Sequence, residues 1–337
     1  MTLQTLDPES VRSLVPMGDA VDAVRNAFHA LRRGEFEMPP RTPLRDGAFL
    51  VMSAQHRPTA TMVVKSLSAN FDRRPSTAGT VVWHDFQHAD HLVADAAVVT
   101  TMRTGAVVGV ATDLLAPPEA ATCTLIGAGA QAADQVRAVH AVRPLTALRI
   151  VDLDQDRADA LAQTLGDELQ IDKVTVGSVP DTEVRGVDLV CCATPSTSPL
   201  FALDSLAEHT HVNAIGAFRP TMRELPDELL ADATVVIDEL ASALEESGEI
   251  LHALDAGAIT RGDLLELGTA LAEGVPPRSG RTVFKSVGVA AQDWALANLL
   301  ARRCRPGTTA PSDEHRDGPT GRDGSHRAPR THQGETR

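Results

Sequence analysis

Residues Cys123–Val136 read CTLIGAGAQAADQV. An apolar run leads into Gly127 and Gly129, and Ala132 stands where the third small residue of a G-x-G-x-x-G/A fingerprint falls. Gly127 is suited to a tight turn, Gly129 to close approach of a pyrophosphate, and Ala132 to close packing of helix on strand. By itself the spacing is weak evidence, because turns use glycine freely. Its context strengthens it: the motif follows a strand-like run and opens a helix-like one, as a phosphate cradle requires. Ala130 and Gln131 lie within the loop itself. Twenty residues after Ala132, the run IVDLD carries Asp152, where a carboxylate would bond the ribose hydroxyls of a dinucleotide. The same charge repels a 2'-phosphate, so NAD is expected in preference to NADP.

Downstream the alternation continues. AQAADQVRAVHAV reads as a helix, ALRIVDLD as a strand and RADALAQTLGDEL as a helix; VDLVCCAT, HVNAIGA and ATVVIDE are further apolar strands. Continuously apolar strands separated by helices indicate a parallel sheet covered on both faces, a doubly wound nucleotide-binding (Rossmann) fold. Upstream the pattern differs. PMGDAVDAVRNAFHALRRGE is helical in spacing, whereas AFLVMSA, TMVVKSLSA and GTVVWHDF read as strands of an antiparallel or mixed sheet. TTMRTGAVVGVATDLLA is helix-compatible and ends at Pro117-Pro118. The expected fold class is therefore α/β, a Rossmann sheet plus an α+β N-terminal domain. The expected boundaries are 1–116 with 288–304, then 117–287. After residue 304 the chain is rich in Pro, Gly, Arg and Asp, and 305–337 is expected to be a disordered tail.

Composition narrows the function. The 337-residue chain carries a formal net charge of -14, which offers no basic surface to nucleic acid. No membrane-spanning run and no signal peptide are read from the sequence, so the expected setting is cytoplasmic. The four cysteines show no metal-ligand spacing, and the adjacent Cys191 and Cys192 read as buried reduced thiols. Tyrosine is absent, which excludes tyrosine acid/base chemistry. His84, His88 and His91 lack the companion ligands of a zinc site, so no metal is expected.

GAGAQA, preceded by TMRTGA and followed by TPSTSPLF, NAIGAFRP and RTVFKSVGVAAQDWALA, resembles the ornithine cyclodeaminase/mu-crystallin family over roughly residues 11–303. The resemblance implies a homodimer whose ligand is a small imino or amino acid. It implies that Arg41, Lys65 and Arg103 grip the substrate carboxylate and that Thr77 lies near the cofactor. Thr194 and Val212, Asn213, Ala214 and Ile215 would line the nicotinamide side, and Ser286 and Val287 would supply closing contacts. In one place the chain departs from the cyclodeaminases. Their catalytic aspartate, two residues past the strand-end glycine, is here Phe218, which can neither take a proton nor anchor an ammonium. Members resembling ketimine reductases also lack that aspartate. The departure favours reduction of a preformed imine such as pyrroline-2-carboxylate or piperideine-2-carboxylate. Ornithine cyclodeamination, an open-chain amino acid dehydrogenase and a cofactor-binding crystallin-like protein are the alternatives.

The residues alone support this chemistry. Arginines such as Arg41 and Arg103 orient a carboxylate through bidentate pairs, although Arg45 lies near enough to substitute for Arg41. Lys65 sits between apolar residues, where burial and neighbouring arginines lower its pKa and suit it to donate a proton to an imine nitrogen. Arg219 and Glu224 read equally as structural or functional, Asp238 as a cap for the next helix, and the run LEESGE as a solvated helix face.

Overall fold

A computed structural model describes residues 3–45, 47–70, 73, 75–276 and 280–304; the expected tail, 305–337, lies outside them. The N-terminal strands are β1 (Leu3–Leu6), β2 (Phe36–Glu37), β3 (Thr42–Leu44), β4 (Phe49–His56), β5 (Thr61–Ala69), β6 (Thr77–Asp85) and β7 (His91–Asp95). They form one mixed sheet in the order β1-β7-β6-β5-β4-β2, with β3 also on β4. Among the described residues of this sheet only the β1–β7 pair is parallel. Alternation divides this sheet into two faces. Met52, Ala54, Val63, Leu67, Val81, Trp83, Leu92 and Ala94 point inward and are buried, whereas Met62, Val64, Val82 and Val93 alternate with them on the more open face. Lys65 falls on the inward side, opposite Met52 on β4 and Val81 on β6. The strand period therefore places an ammonium inside the core.

Three helices precede the second sheet: α1 (Pro8–Leu14) packs at the β1–β7 edge, α3 (Ala96–Leu115) on the inward face, and α2 (Met17–Arg32) against α3. Asp95 caps α3 by accepting from the Val98 amide. Helix α3 is buried on nearly every face as far as Thr112 and is built mostly of small and apolar residues; it packs against α2, the first sheet and the second sheet. Its glycines permit close approach. A Cβ on Gly105 would lie 2.2 Å from the Asp134 carbonyl oxygen, and one on Gly109 would lie 2.7 Å from Val21.

The second half runs β8 (Thr122–Ile126), α4 (Ala132–Val142), β9 (Ala147–Val151), α5 (Gln155–Leu169), β10 (Lys173–Gly177), α6 (Pro180–Glu183), β11 (Leu189–Cys192) and β12 (His211–Ala214). It continues with α7 (Asp227–Asp232), β13 (Thr234–Ile237), α8 (Leu240–Glu246), α9 (Gly248–Asp255), β14 (Leu264–Glu266), α10 (Leu267–Glu273), β15 (Thr282–Lys285) and α11 (Ala290–Cys304). Its eight strands are all parallel, in the order β10-β9-β8-β11-β12-β15-β13-β14. This is the doubly wound sheet expected from the apolar runs. The order reverses between β8 and β11, which opens a crevice at their carboxyl ends. Helix α11 then leaves the second sheet and returns to the first, packing on β4, β5 and β6 beside α2 and α3. Leu296, Leu300 and most of Trp294 are buried there. Burial of such side chains contributes roughly 1.5–3 kcal/mol each. Met1–Cys304 forms one compact unit.

Candidate active site

The return of α11 carries Gln292 and Asp293, both fully buried, onto the face that holds Lys65. Both Asp293 carboxylate oxygens lie within 2.9 Å of Lys65 Nζ. Arg103, on the second turn of α3, places its Nε 3.2 Å from Asp293 Oδ1, and its guanidinium donates to Gln292 Oε1. Three segments remote in sequence thus form an ammonium–carboxylate–guanidinium cluster with under a tenth of any side chain exposed. Burial drives the Lys65 pKa down to about 7; Arg103 and Arg41 push the same way, and Asp293 opposes them. Burial likewise lowers that of Arg103, again against Asp293.

A tight turn separates Arg103 from Arg41. Gly288 adopts φ +85°, and a Cβ there would meet the Arg103 guanidinium at 2.5 Å. From the other side Arg41 donates to the carbonyls of Val287 (2.9 Å) and Gly288 (2.6 Å). Asp238 fixes the turn, accepting from Ser286 Oγ (2.7 Å) and the amides of Val287 (3.0 Å) and Gly288 (2.8 Å). Arg41 also pairs with Glu246 at 2.7 Å. The two line an open cleft with Met38, Pro40, Met52 and Val289.

The carboxyl ends of β8, β9 and β11 form a second cradle. Gly127 has φ +97°, and a Cβ on it would come within 2.6 Å of the Ala193 carbonyl oxygen. No atom lies within 4 Å of where a Gly129 Cβ would stand, and both Gly129 and Ala130 are exposed, with Gln131 half-buried at the start of α4. That open, helix-opening loop fits a dinucleotide pyrophosphate. Asp152 Oδ2 accepts from the Ala128 amide at 2.6 Å, which fixes the carboxylate at the edge of the loop. Arg157 pairs with Asp152 Oδ1 at 2.6 Å.

On the far side of the crevice, buried Glu224 ties two loops together. It accepts from the Thr194 amide (2.7 Å) and hydroxyl (2.8 Å), the Gly216 amide (2.9 Å) and the Ala217 amide (3.1 Å). Gly216 is required by the closeness of this junction, since its Cβ would lie 2.2 Å from the Thr194 backbone. Beneath it, Lys285 pairs with Glu249 at 3.2 Å, and Glu249 accepts from the Glu224 amide at 3.0 Å. Burial raises the Glu224 pKa, with Lys285 opposing.

Lys65, Arg103, Arg41, Ser286 and Val287 converge on one region, and Gly127, Gly129, Ala130, Gln131, Asp152 and Thr194 surround the crevice. Thr77 opens β6, half-buried opposite Ala69. The Val212, Asn213 and Ala214 side chains are buried in the second sheet, and the Asn213 amide donates to Thr112 Oγ1. Two readings are corrected. Asp238 does not cap α8, because its carboxylate is drawn to the amides of the 286–288 turn. LEESGE is not a solvated face: a break at Ser247, which caps α9, turns Glu249 inward to Lys285, and Glu246 reaches Arg41. The sequence reading also missed Gln292, Asp293, Glu246 and Arg157. Lys65, read as a buried cation, called for a counter-charge, and Asp293 within the apolar run VAAQDWALANLL was the available signal. The histidines pair locally, His84 with His91 at 2.6 Å and His88 with Asp85 at 3.0 Å. Among the described residues no group of three or more His, Cys, Asp or Glu is placed to hold a metal.

The family model for the ornithine cyclodeaminase/mu-crystallin family matches residues 3–307. A Δ1-pyrroline-2-carboxylate reductase of Bacillus cereus is 34% identical over 234 residues, 67% of this chain and 70% of that one. An L-lysine cyclodeaminase of Streptomyces rapamycinicus is 34% identical over 308 residues, 85% and 86% of the two chains. Among solved structures, Thermococcus litoralis Δ1-pyrroline-2-carboxylate reductase in complex with NADH and L-proline superposes with a TM-score of 0.84. It is 26% identical, covering 89% of this chain and 97% of that one.

Proposed function

The chain belongs to the ornithine cyclodeaminase/mu-crystallin family, and from that premise we propose that it is an NAD(P)H-dependent reductase of small imino acids, yielding amino acids. A cyclic ketimine such as pyrroline-2-carboxylate or piperideine-2-carboxylate is the preferred substrate. The observation that carries this reading is the pairing of a buried, proton-bearing Lys65–Asp293–Arg103 cluster with an apolar residue at position 218. Reduction of C=N needs a hydride at carbon and a proton at nitrogen; it does not need a carboxylate to deprotonate a second amine.

When bound, the nicotinamide supplies the hydride. Gly127, Gly129, Ala130 and Gln131 would hold its pyrophosphate, Asp152 its ribose, and Thr194 with the Glu224-tied loops its nicotinamide end. Arg41 and Arg103 orient the substrate carboxylate. Lys65, its pKa near 7, gives up a proton to the imine nitrogen, and Asp293 keeps the ammonium in place. Phe218, half-buried beneath the Arg219 guanidinium at 5.4 Å, forms an apolar wall suited to a ring without a second charge.

Asp152 supports NADH as the preferred cofactor, while Arg157 beside it tempers the exclusion of a 2'-phosphate. We assign residues 1–116 with 288–304 to substrate binding and dimerisation and 117–287 to the cofactor. The open, partly apolar face of the first sheet supports a homodimer. The reduced, buried Cys123, Cys191 and Cys192 fit a cytoplasmic setting. The test is NADH absorbance with purified protein and a preformed five- or six-membered cyclic imino acid. Oxidation that is lost in Lys65→Ala supports the reading. Ammonia release from ornithine with NAD, without net reduction, would replace it with cyclodeamination.

A further inference from the structure

Glu246 lies where the substrate carboxylate is expected. It engages Arg41 Nε at 2.7 Å, and the two side chains are 15% and 13% exposed. An ordinary supporting salt bridge does not account well for it. Arg41 is already oriented by two carbonyls on its NH2 group, and the second Glu246 oxygen is buried with no hydrogen-bond partner. Glu246 is also poorly placed as a permanent anion. Burial drives its pKa up to about 7, Arg41 opposes the rise, and nearby Glu245, Asp238 and Glu239 add to it. Both members of the pair face the same open cleft, so a ligand entering it meets the guanidinium edge that Glu246 covers.

We propose that Glu246 is an internal stand-in for the substrate carboxylate, holding Arg41 in the free enzyme and giving it up when the imino acid binds. This rests on the imino acid reductase reading and adds to it: the charge on Glu246 sets substrate affinity. Binding exchanges one carboxylate for another on Arg41, so the gain from the new ion pair is offset by loss of the old one. Removing the internal competitor leaves the full gain to the substrate.

The test is Glu246→Gln in the full chain, assayed with NADH and Δ1-pyrroline-2-carboxylate at pH 8 and pH 6. A second measurement follows quenching of bound NADH fluorescence by L-proline. At pH 8 the variant is expected to show a KM and an L-proline Kd lower by on the order of 5–10-fold, with kcat within about twofold. At pH 6, where wild-type Glu246 is protonated, that advantage shrinks toward unity. The charged groups facing Glu246 are Arg41, Asp238, Glu239 and Glu245, and variant and wild type share all of them. Lys65 titrates in both proteins and cancels in the variant-to-wild-type ratio. An equal or higher KM at pH 8, in a variant with wild-type melting temperature, overturns the proposal and makes Glu246 a fixed support for Arg41. Glu246→Ala guards against a new amide–arginine contact, and an unchanged or weaker L-proline affinity there overturns it equally. Wild-type protein that neither turns over imino acid nor binds L-proline defeats the reductase reading itself. Normal turnover with no gain in the variant defeats only the role of Glu246.

Discussion

Replacing Asp293 by asparagine keeps the shape of the cluster and removes its only carboxylate, leaving Lys65 and Arg103 buried without their shared anion. Breaking a buried pair in this way costs roughly 3–5 kcal/mol. Unfolding entropy of about 2.1 cal/mol/K per residue over Met1–Cys304 amounts to about 0.6 kcal/mol/K. The expected fall in Tm is therefore about 5–8 °C by calorimetry. The chemical effect has a definite sign. Asp293 is the strongest influence holding the Lys65 pKa up, so its loss lowers that value from about 7 by roughly one to two units. Lys65 donates its proton only while it is an ammonium, so activity is lost as pH rises through its pKa. If Lys65 is the donor, the fall of kcat is expected near pH 7 in wild-type protein and at about pH 5–6 in Asp293→Asn. At pH 7.5 the variant loses roughly 10–100-fold in kcat and recovers much of it at pH 5.5. A pH–rate profile for imino acid reduction decides the matter. A fall that stays centred near pH 7 in the variant would refute Lys65 as the proton donor, even if the stability loss appears as expected.

Other expectations follow from single contacts. In Glu224→Gln one carboxamide oxygen must serve four donors, and its NH2 faces amides that cannot accept. KM for NADH is expected to rise at least about tenfold, with a stability loss of about 2–3 kcal/mol by denaturant titration. Gly127→Ala forces a Cβ into the Ala193 carbonyl at positive φ; NADH binding, read by fluorescence, should fall by more than tenfold. Arg157→Ala frees one side of Asp152 and removes the cation nearest the ribose carboxylate. The ratio of kcat/KM for NADH over NADPH should rise by several fold, and an unchanged ratio would show that Arg157 takes no part in cofactor choice.

The doubly wound sheet was legible because its strands are continuously apolar and its glycine turn is local. The burial of Lys65 was legible from the apolar residues on either side of it. What holds Lys65 was not: Asp293 lies 228 positions away, and no local pattern reports a contact made only when α11 returns to the first sheet. The reading of LEESGE failed for a related reason. A charge run signals solvent only when its helix is continuous, and the break at Ser247 turns Glu249 into the interior, where Lys285 compensates it. Asp238 was read by its neighbours in sequence, whereas the amides it serves arrive from residues 286–288. Local signals thus marked the glycines, the family resemblance marked the cations, and the acids that organise them depended on topology.

The late arrival of α11 bears on how the protein is made. A ribosome releases β4–β7 and α3 long before it has synthesised Asp293. At roughly 5–20 residues per second, the 228 positions from Lys65 to Asp293 take about 10–50 s. Throughout that interval, closing the first sheet over its inner face would trap Lys65 and Arg103 with no anion beside them. Closing that layer before α11 arrives costs roughly 3–5 kcal/mol, the cost of leaving a buried charge without its partner, so the docking of α11 is what completes it. The face of the sheet that holds Lys65 gains its α11 cover only when nearly the whole chain has emerged.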